Sequence, residues 1–175
     1  MEELKLMHWK AAKRILRYIR GTITDGLFYS HHSNLELVGY SNSDWAGDMD
    51  DRNSTFGFIF SMGDVVFSWM SKKQPIVTLS TCEAEYVAAS ACISHAIWLR
   101  SLLKEVHFEQ KEPTKISIDS KSAIALGKNP VYHQRSKHID VCFHSIREHV
   151  KNKEVELLTL AEKDICVHTA LSSKG

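Results

Sequence analysis

The chain has 175 residues, of which 43% are hydrophobic and 25% are charged, as is typical of one globular domain with a sizeable core. Its 22 Lys and Arg residues nearly balance its 21 Asp and Glu residues, so the formal net charge is +1. This balance excludes a uniformly basic nucleic-acid-binding protein and an acidic tail. Any site for a polyanion therefore has to be a local patch.

An amphipathic helix is predicted over residues 2–20, because apolar residues recur there at three- to four-residue spacing among Lys and Arg residues. Gly21 is expected to end the helix in a left-handed conformation. The polar stretch 22–34 then indicates a connection. We therefore predict two parts, a connection helix with its linker over 1–34 and a domain over 35–175.

Short β-type runs alternate with helical patterns after this boundary. Strands are predicted at 35–41, 56–61, 65–71, 114–118 and 155–160. Helices are predicted at about 80–106, 120–127 and 137–151. Ser80 and Glu83 form an S-x-x-E capping box at the start of the longest helix. The succession predicts an α/β fold, with a mixed sheet covered by helices.

The cysteines and the apolar runs bear on the environment of the protein. The four cysteines are widely spaced and form no CxxC pair. This spacing argues against a disulfide framework or a thiolate zinc site and favours an intracellular, cytoplasmic setting. The longest apolar runs span only a few residues, so we expect no membrane-spanning segment and no signal peptide.

Three acidic residues occupy positions that such a sheet would bring together. Asp44 follows the first strand, Glu85 lies one turn into the long helix, and Asp119 directly follows the fourth strand. Residues just beyond strand ends converge on a crevice, and clustered carboxylates repel one another unless cations intervene. Carboxylate oxygens suit Mg²⁺ or Mn²⁺, and two such ions about 4 Å apart would support attack of water on a phosphodiester. The alternative for each acid is a solvated surface charge.

Several segments, in order along the chain, resemble the ribonuclease H (RNase H) domain of Ty1/copia-type retrotransposon Pol polyproteins. They are GYSNSDWAGDMDDRNSTFGFIF (39–60), SWMSKKQPIVTLSTCEAEYVAAS (68–90), IWLRSLL (97–103), SIDSKSAIALGKNP (117–130) and RSKHIDVCFHSIREHV (135–150). In addition, HWKAAKRILRYIRGT (8–22) resembles the connection segment that precedes this domain, after the reverse transcriptase.

The resemblance implies the RNase H fold, a five-stranded mixed sheet flanked by helices. It implies an endonuclease that hydrolyses the RNA strand of RNA·DNA hybrids during reverse transcription, with four acidic residues holding two Mg²⁺ or Mn²⁺ ions. The implied partners are the hybrid and the reverse transcriptase domain of the same polyprotein, with no membrane.

Two of the four acidic positions match the family directly. Asp119 matches the strand-end aspartate, and its alternative role is to cap the next helix. Glu85 matches the helix glutamate better than Glu83 does, because Glu83 already serves the capping box.

The other two positions depart from the family pattern. Asn42 stands in the place of the first aspartate, so Asp44 is the predicted substitute, although it starts about 6–7 Å further along the strand. His168 stands in the place of the fourth acid, and Asp164 lies one turn before it. These departures keep open the alternative of a catalytically degenerate domain that binds nucleic acid or docks a partner.

Basic residues in two places are predicted to contact phosphate groups. Lys72 and Lys73 lie on a predicted turn beside the sheet, and Arg135, Lys137 and His138 form a second cluster. Such contacts would position a hybrid without reading its sequence. The alternative is an ordinary solvated face.

Overall fold

The computed structural model describes residues 5–26, 35–47, 50–63, 65–128 and 140–160. The chain divides into two compact units, Met1–His31 and His32–Gly175. Most of the predicted linker lies outside the described residues, so the boundary at residue 34 stays a prediction.

The first unit contains one helix, α1, which extends over Leu6–Gly21. Its apolar residues follow one face of the helix, as the spacing predicts, and Lys13 Nζ lies 4.9 Å from the centre of the Trp9 ring. Gly21 is the last helical residue rather than a left-handed terminator. The helix ends at Thr22, whose backbone N–H donates to the Tyr18 and Ile19 carbonyls at a φ of −116°.

The second unit is built on a five-stranded mixed sheet, which confirms the predicted fold class. Its strands are β1 (Leu37–Ser43), β2 (Thr55–Met62), β3 (Val65–Lys73), β4 (Thr114–Ile118) and β5 (Val155–Thr159). The strand order is β3-β2-β1-β4-β5, with antiparallel pairing among the first three strands. The β1–β4 and β4–β5 pairs are parallel. Lys72 and Lys73 belong to β3 and not to a turn, because they pair with Phe56 and Thr55.

Three helices accompany this sheet in the described residues: α2 (Thr81–Glu105), α3 (Lys121–Lys128) and α4 (Asp140–Lys151). Parallel pairing of β1 with β4 requires a crossover, and α2 is the long element within it. The rings of Phe58 and Phe60 contact His95 of α2, so this face of the sheet packs on α2. Gly39 pairs with Phe60, and a Cβ atom there would lie 2.8 Å from the Phe60 ring. The close packing of the ring therefore requires glycine.

Helix α2 departs from one expectation of the sequence analysis. It has 25 residues, and by length and composition alone it could cross a membrane. The core helix of a soluble protein can have the same length and composition, so this property is weak evidence for a membrane span. In this fold α2 buries Ala88, Cys92 and Ala96, together with much of its N-terminal half, in the hydrophobic core.

Candidate functional site

Glu85 is the buried acidic residue of the site, with a relative exposure of 7%. It lies in the first turns of α2, and its Oε1 accepts a hydrogen bond of 3.1 Å from the backbone N–H of Ser43 at the end of β1. Its Oε2 is buried and has no hydrogen-bond partner among the described residues. One carboxylate oxygen is therefore held in place, and the other is left for a further partner.

The pKa of Glu85 reflects its burial and the charge of Asp119. Burial raises the pKa of Glu85 to about 7, the Ser43 hydrogen bond opposes this rise, and the negative charge of Asp119 adds to it. The charge of Asp119, 34 positions later in the sequence, therefore acts on Glu85. Their role as metal ligands stays a prediction.

The sheet register places Asn42 near Asp119. Ser41 pairs with Ile118 at the last position of the parallel β1–β4 ladder, and Asn42 and Asp119 each follow that pair by one residue. Neighbouring strands are about 4.8 Å apart. Asn42 is therefore the β1 residue nearest in register to Asp119.

Asp44 has a structural role in the turn that follows β1. Its backbone N–H donates to the Thr55 carbonyl, and its Oδ1 accepts from the Thr55 N–H. Gly47 packs so closely against the Asp44 carboxylate that no Cβ atom would fit there. Asp44 thus ties the start of β2 to the end of β1. Its predicted role as a substitute metal ligand would have to coexist with these contacts.

The alternative role of Asp119, capping the next helix, belongs to its neighbour instead. The Oγ of Ser120 accepts a hydrogen bond of 3.1 Å from the N–H of Ala123, in the manner of an N-cap residue of α3. Asp119 itself is exposed at the end of β4. Its carboxylate is therefore not used to start α3.

The capping box at the start of α2 differs in one bond from the prediction. Ser80 Oγ accepts from the Glu83 N–H at 3.2 Å, as expected. The Glu83 carboxylate accepts from the N–H of Leu79 at 2.8 Å, one residue before the expected partner. Glu83 is thus engaged in starting the helix, which supports the choice of Glu85 as the site residue.

Cys82 lies near Glu83 and Glu85 but remains a thiol. Burial and the charges of Glu83 and Glu85 raise its pKa, against a hydrogen bond with Ser120. A protonated thiol is a poor metal ligand. Cys82, Cys92 and Cys142 are free, so the described part of the chain contains no disulfide, and Cys166 lies outside it.

The predicted basic contacts are described only in part. Lys72 and Lys73 are exposed at the end of β3, and Lys73 Nζ lies 2.6 Å from Asp51 Oδ2. Lys73 pairs with Thr55, which contacts Asp44, so two strand spacings, about 10 Å, separate the lysine from the end of β1. The remaining predicted residues lie outside the described residues: Arg135, Lys137, His138, Asp164 and His168.

Glu85, Asp119 and Asn42 are the side chains at this end of the sheet that could bind a divalent cation. Two neighbouring carboxylates, one with a buried and unpaired oxygen, repel one another and would be stabilised by a cation between them. Asn42 adds a neutral amide oxygen. Within the described residues no group of three His, Cys, Asp or Glu side chains is placed to hold a metal. Glu85 and Asp119 therefore fit a cation but supply only two charged ligands.

Comparison with known proteins identifies relatives for the sequence and for the fold. The chain is 45% identical over 157 residues to the retrovirus-related Pol polyprotein from transposon TNT 1-94 of Nicotiana tabacum, and 41% identical over 157 residues to that from transposon RE2 of Arabidopsis thaliana. Each match covers 90% of this chain, but only 12% and 11% of the two polyproteins. No protein-family model matches the chain.

The solved structure of LC11-RNase H1 in complex with an RNA/DNA hybrid is similar in fold, with a TM-score of 0.54. The match covers 78% of this chain and 93% of that chain, at 12% sequence identity. At this identity the likeness concerns the fold alone, and the fold is that of RNase H.

Proposed function

Because this chain is a relative of copia-type retrotransposon Pol polyproteins and has the RNase H fold, we propose that it is the RNase H domain of such a polyprotein. Its reaction is the hydrolysis of the RNA strand of an RNA·DNA hybrid during reverse transcription, with Mg²⁺ or Mn²⁺. The observation that supports this most directly is the buried Glu85 carboxylate at the end of the sheet, whose Oε1 is held by the Ser43 N–H and whose Oε2 has no partner within the described residues.

The proposed reaction assigns a role to each residue of the site. Glu85 and Asp119 would hold the divalent cations, and the Asn42 amide would offer a neutral oxygen ligand. Asp44 and His168 are the further predicted members of the site. Bound divalent cations supply activation of the attacking water and stabilisation of charge on the leaving oxygen. The Ser43 amide keeps Glu85 turned toward the end of β1.

The substrate is positioned by its phosphate groups. In this proposal Lys72 and Lys73 would contact the phosphates of a duplex whose scissile bond lies at Asp119, and Arg135, Lys137 and His138 would extend this contact. The Lys73–Asp51 pair is about half exposed on both sides, so it is weak enough to exchange for a phosphate. Recognition of the hybrid depends on its shape and its 2′-hydroxyl groups. The same proposal places the protein in the cytoplasm, with the reverse transcriptase domain as its neighbour.

The test is cleavage of an end-labelled RNA·DNA hybrid by the purified chain in Mg²⁺ and in Mn²⁺. We expect cleavage confined to the RNA strand, lowered at least 100-fold by Asp119→Asn, because one carboxylate of the cation site is lost. Glu112→Gln is the matched control, since this exposed acid lies outside the site. Cleavage that persists in Asp119→Asn, or its absence in both metals, would contradict the enzymatic proposal.

A second candidate function is hybrid binding without cleavage, and Asn42 favours it. The β1 side chain nearest in register to Asp119 carries no charge, so the site attracts dications less strongly than a site with a third carboxylate. If the wild-type chain binds the hybrid but cleaves it in neither metal, Asn42→Asp is the decisive variant. Restored cleavage would identify a degenerate enzyme, and continued binding without cleavage would identify a binding domain.

A further inference from the structure

Gln74 is a buried polar residue that connects the elements on either side of the site. It directly follows β3 and is 1% exposed. Its side-chain Nε2 donates to Ser43 Oγ at 3.1 Å and to the backbone carbonyl of Ala84 at 2.9 Å. Its own backbone N–H donates to the Ser54 carbonyl at 2.7 Å. One amide group therefore joins the end of β1 to the first turn of α2.

Both partners of the Gln74 side chain adjoin Glu85. Ser43 donates its backbone N–H to Glu85 Oε1, and Ala84 is the residue before Glu85 in α2. The bonds from Gln74 and the bond from Ser43 close a ring across the gap between the strand and the helix. This ring fixes how far the Glu85 carboxylate stands from the end of β1.

The amide group of Gln74 carries an energetic penalty, so a gain in folding stability does not by itself explain its presence. Gln74 Oε1 is buried and has no hydrogen-bond partner among the described residues. A buried acceptor without a partner is unfavourable, and an apolar residue of similar shape avoids this penalty. The two donated bonds are the property that glutamine has and an apolar residue lacks.

We propose that Gln74 is a positioning residue, which holds Glu85 at the end of β1 in the arrangement that binds a divalent cation. The inference rests on the proposed function, because it concerns the same site. Partners that orient a metal ligand are commonly worth about 10- to 100-fold in metal affinity or activity. The role of Gln74 is to act through Ser43 and Ala84, without contact with the cation or the substrate.

The test compares Gln74→Met with Thr78→Val in the full chain. Methionine has a similar shape but donates no hydrogen bond. Thr78→Val removes the buried Thr78–Ser54 hydroxyl contact of 3.2 Å in the same region, without touching Ser43 or Ala84. We expect Gln74→Met to weaken Mn²⁺ binding, measured by electron paramagnetic resonance of free Mn²⁺, about 10- to 100-fold. For hybrid cleavage it should lower kcat with KM within twofold, whereas Thr78→Val should change neither quantity more than about threefold.

Gln74→Asn provides a second variant if Gln74→Met does not fold. It keeps an amide but is one methylene shorter, so it cannot reach both partners and should weaken Mn²⁺ binding similarly. Wild-type Mn²⁺ affinity in a folded Gln74 variant would overturn the inference while leaving the proposed function intact.

A separate measurement distinguishes failure of the inference from failure of the proposed function. If the wild-type chain neither binds Mn²⁺ nor cleaves the hybrid, the proposed function fails. Hydrogen exchange at the Ser43 amide then decides the positioning role, because this amide is protected by Glu85 Oε1. We expect at least tenfold faster exchange in Gln74→Met than in Thr78→Val, and equal rates would overturn the inference.

Discussion

Glu85 carries an ionisable group into the interior, and this gives the metal-free protein a defined pH dependence. Burial and Asp119 raise its pKa to about 7 in the folded chain, against an ordinary value of 4.5. The folded state then binds more protons than the unfolded state between these values. The contribution of Glu85 to stability is therefore fully present below about pH 4.5 and is lost as the pH rises through 7, by roughly 3 kcal/mol.

We expect Glu85→Gln to remove this pH dependence in EDTA. Glutamine can still accept from the Ser43 N–H but carries no charge, so the free energy of unfolding at pH 8 should exceed that of the wild type by up to roughly 3 kcal/mol. Urea unfolding at pH 5 and pH 8 measures the difference, with Glu112→Gln as the control. Parallel profiles for wild type and Glu85→Gln would show that Glu85 does not titrate in this way.

Asn42 is the residue whose charge most directly alters the site. Asn42→Asp places a third carboxylate on the β1 residue nearest in register to Asp119, so we expect at least tenfold tighter Mn²⁺ binding, together with lower stability in EDTA because of repulsion. Calorimetric titration with Mn²⁺ measures the affinity. Asn152→Asp, at an exposed position after α4, is the control for added charge. Unchanged affinity in Asn42→Asp would mean that this side chain does not reach the cation.

Local motifs could predict part of this site but not the contacts between residues that are far apart in the sequence. The positions of Asp119 at a strand end and of Glu85 near a helix start were predictable, because each lies in a recognisable local pattern. The engagement of Asp44 depends on a loop that brings Thr55 back to it, which no spacing in the sequence reveals. Gln74 was missed for the same reason, since its partners are 31 residues before it and 10 residues after it.

At the scale of the elements, the start of α2 governs where Glu85 stands. Ser80, five residues before Glu85, caps this helix by accepting a hydrogen bond from the Glu83 N–H. Ser80→Ala should lower the free energy of unfolding by about 1 kcal/mol, because the first turn loses its side-chain acceptor. Chemical denaturation measures the loss. Ser94→Ala, within the same helix, removes only a bond back to the Ser90 carbonyl and should have little effect.

The order and type of the elements were predictable, whereas some boundaries were not. In the described residues, the five strands and four helices overlap the ranges predicted for them. Strand β3 was predicted to stop at Ser71, with Lys72 and Lys73 on a turn. Pairing with Phe56 and Thr55 extends β3 through Lys72 and Lys73, so cross-strand hydrogen bonds, and not the local sequence, set this boundary.

At the scale of the whole molecule, the division into two units predicts an independent folding domain. We expect a chain that begins at Leu35 to fold with a melting temperature within about 4 °C of the full chain. Leu35 is retained because its carbonyl accepts from Gln110. Thermal unfolding followed by circular dichroism measures this, and failure of the shortened chain to fold would place the boundary elsewhere.

The presence of helix α1 should make the full chain associate more strongly than the chain that begins at Leu35. Its apolar face includes Leu16 and Ile19, which suits docking to a polymerase domain and otherwise favours self-association. Light scattering should give a larger mean mass for the full chain than for the chain that begins at Leu35. Equal monomeric masses would argue against a docking role for this helix.

Strand β1 lies in the middle of the sheet, so truncation of the chain after β3 would expose one of its edges. One edge of β1 pairs with β2, which follows it closely, but the other pairs with β4, more than 70 residues later. A premature stop codon ahead of residue 114 would leave that edge open, with a row of unmatched amide and carbonyl groups, in a product that also lacks Asp119. Open edges of this kind recruit other chains. Genomic copies that are truncated before residue 114 should therefore encode polypeptides that aggregate and do not fold.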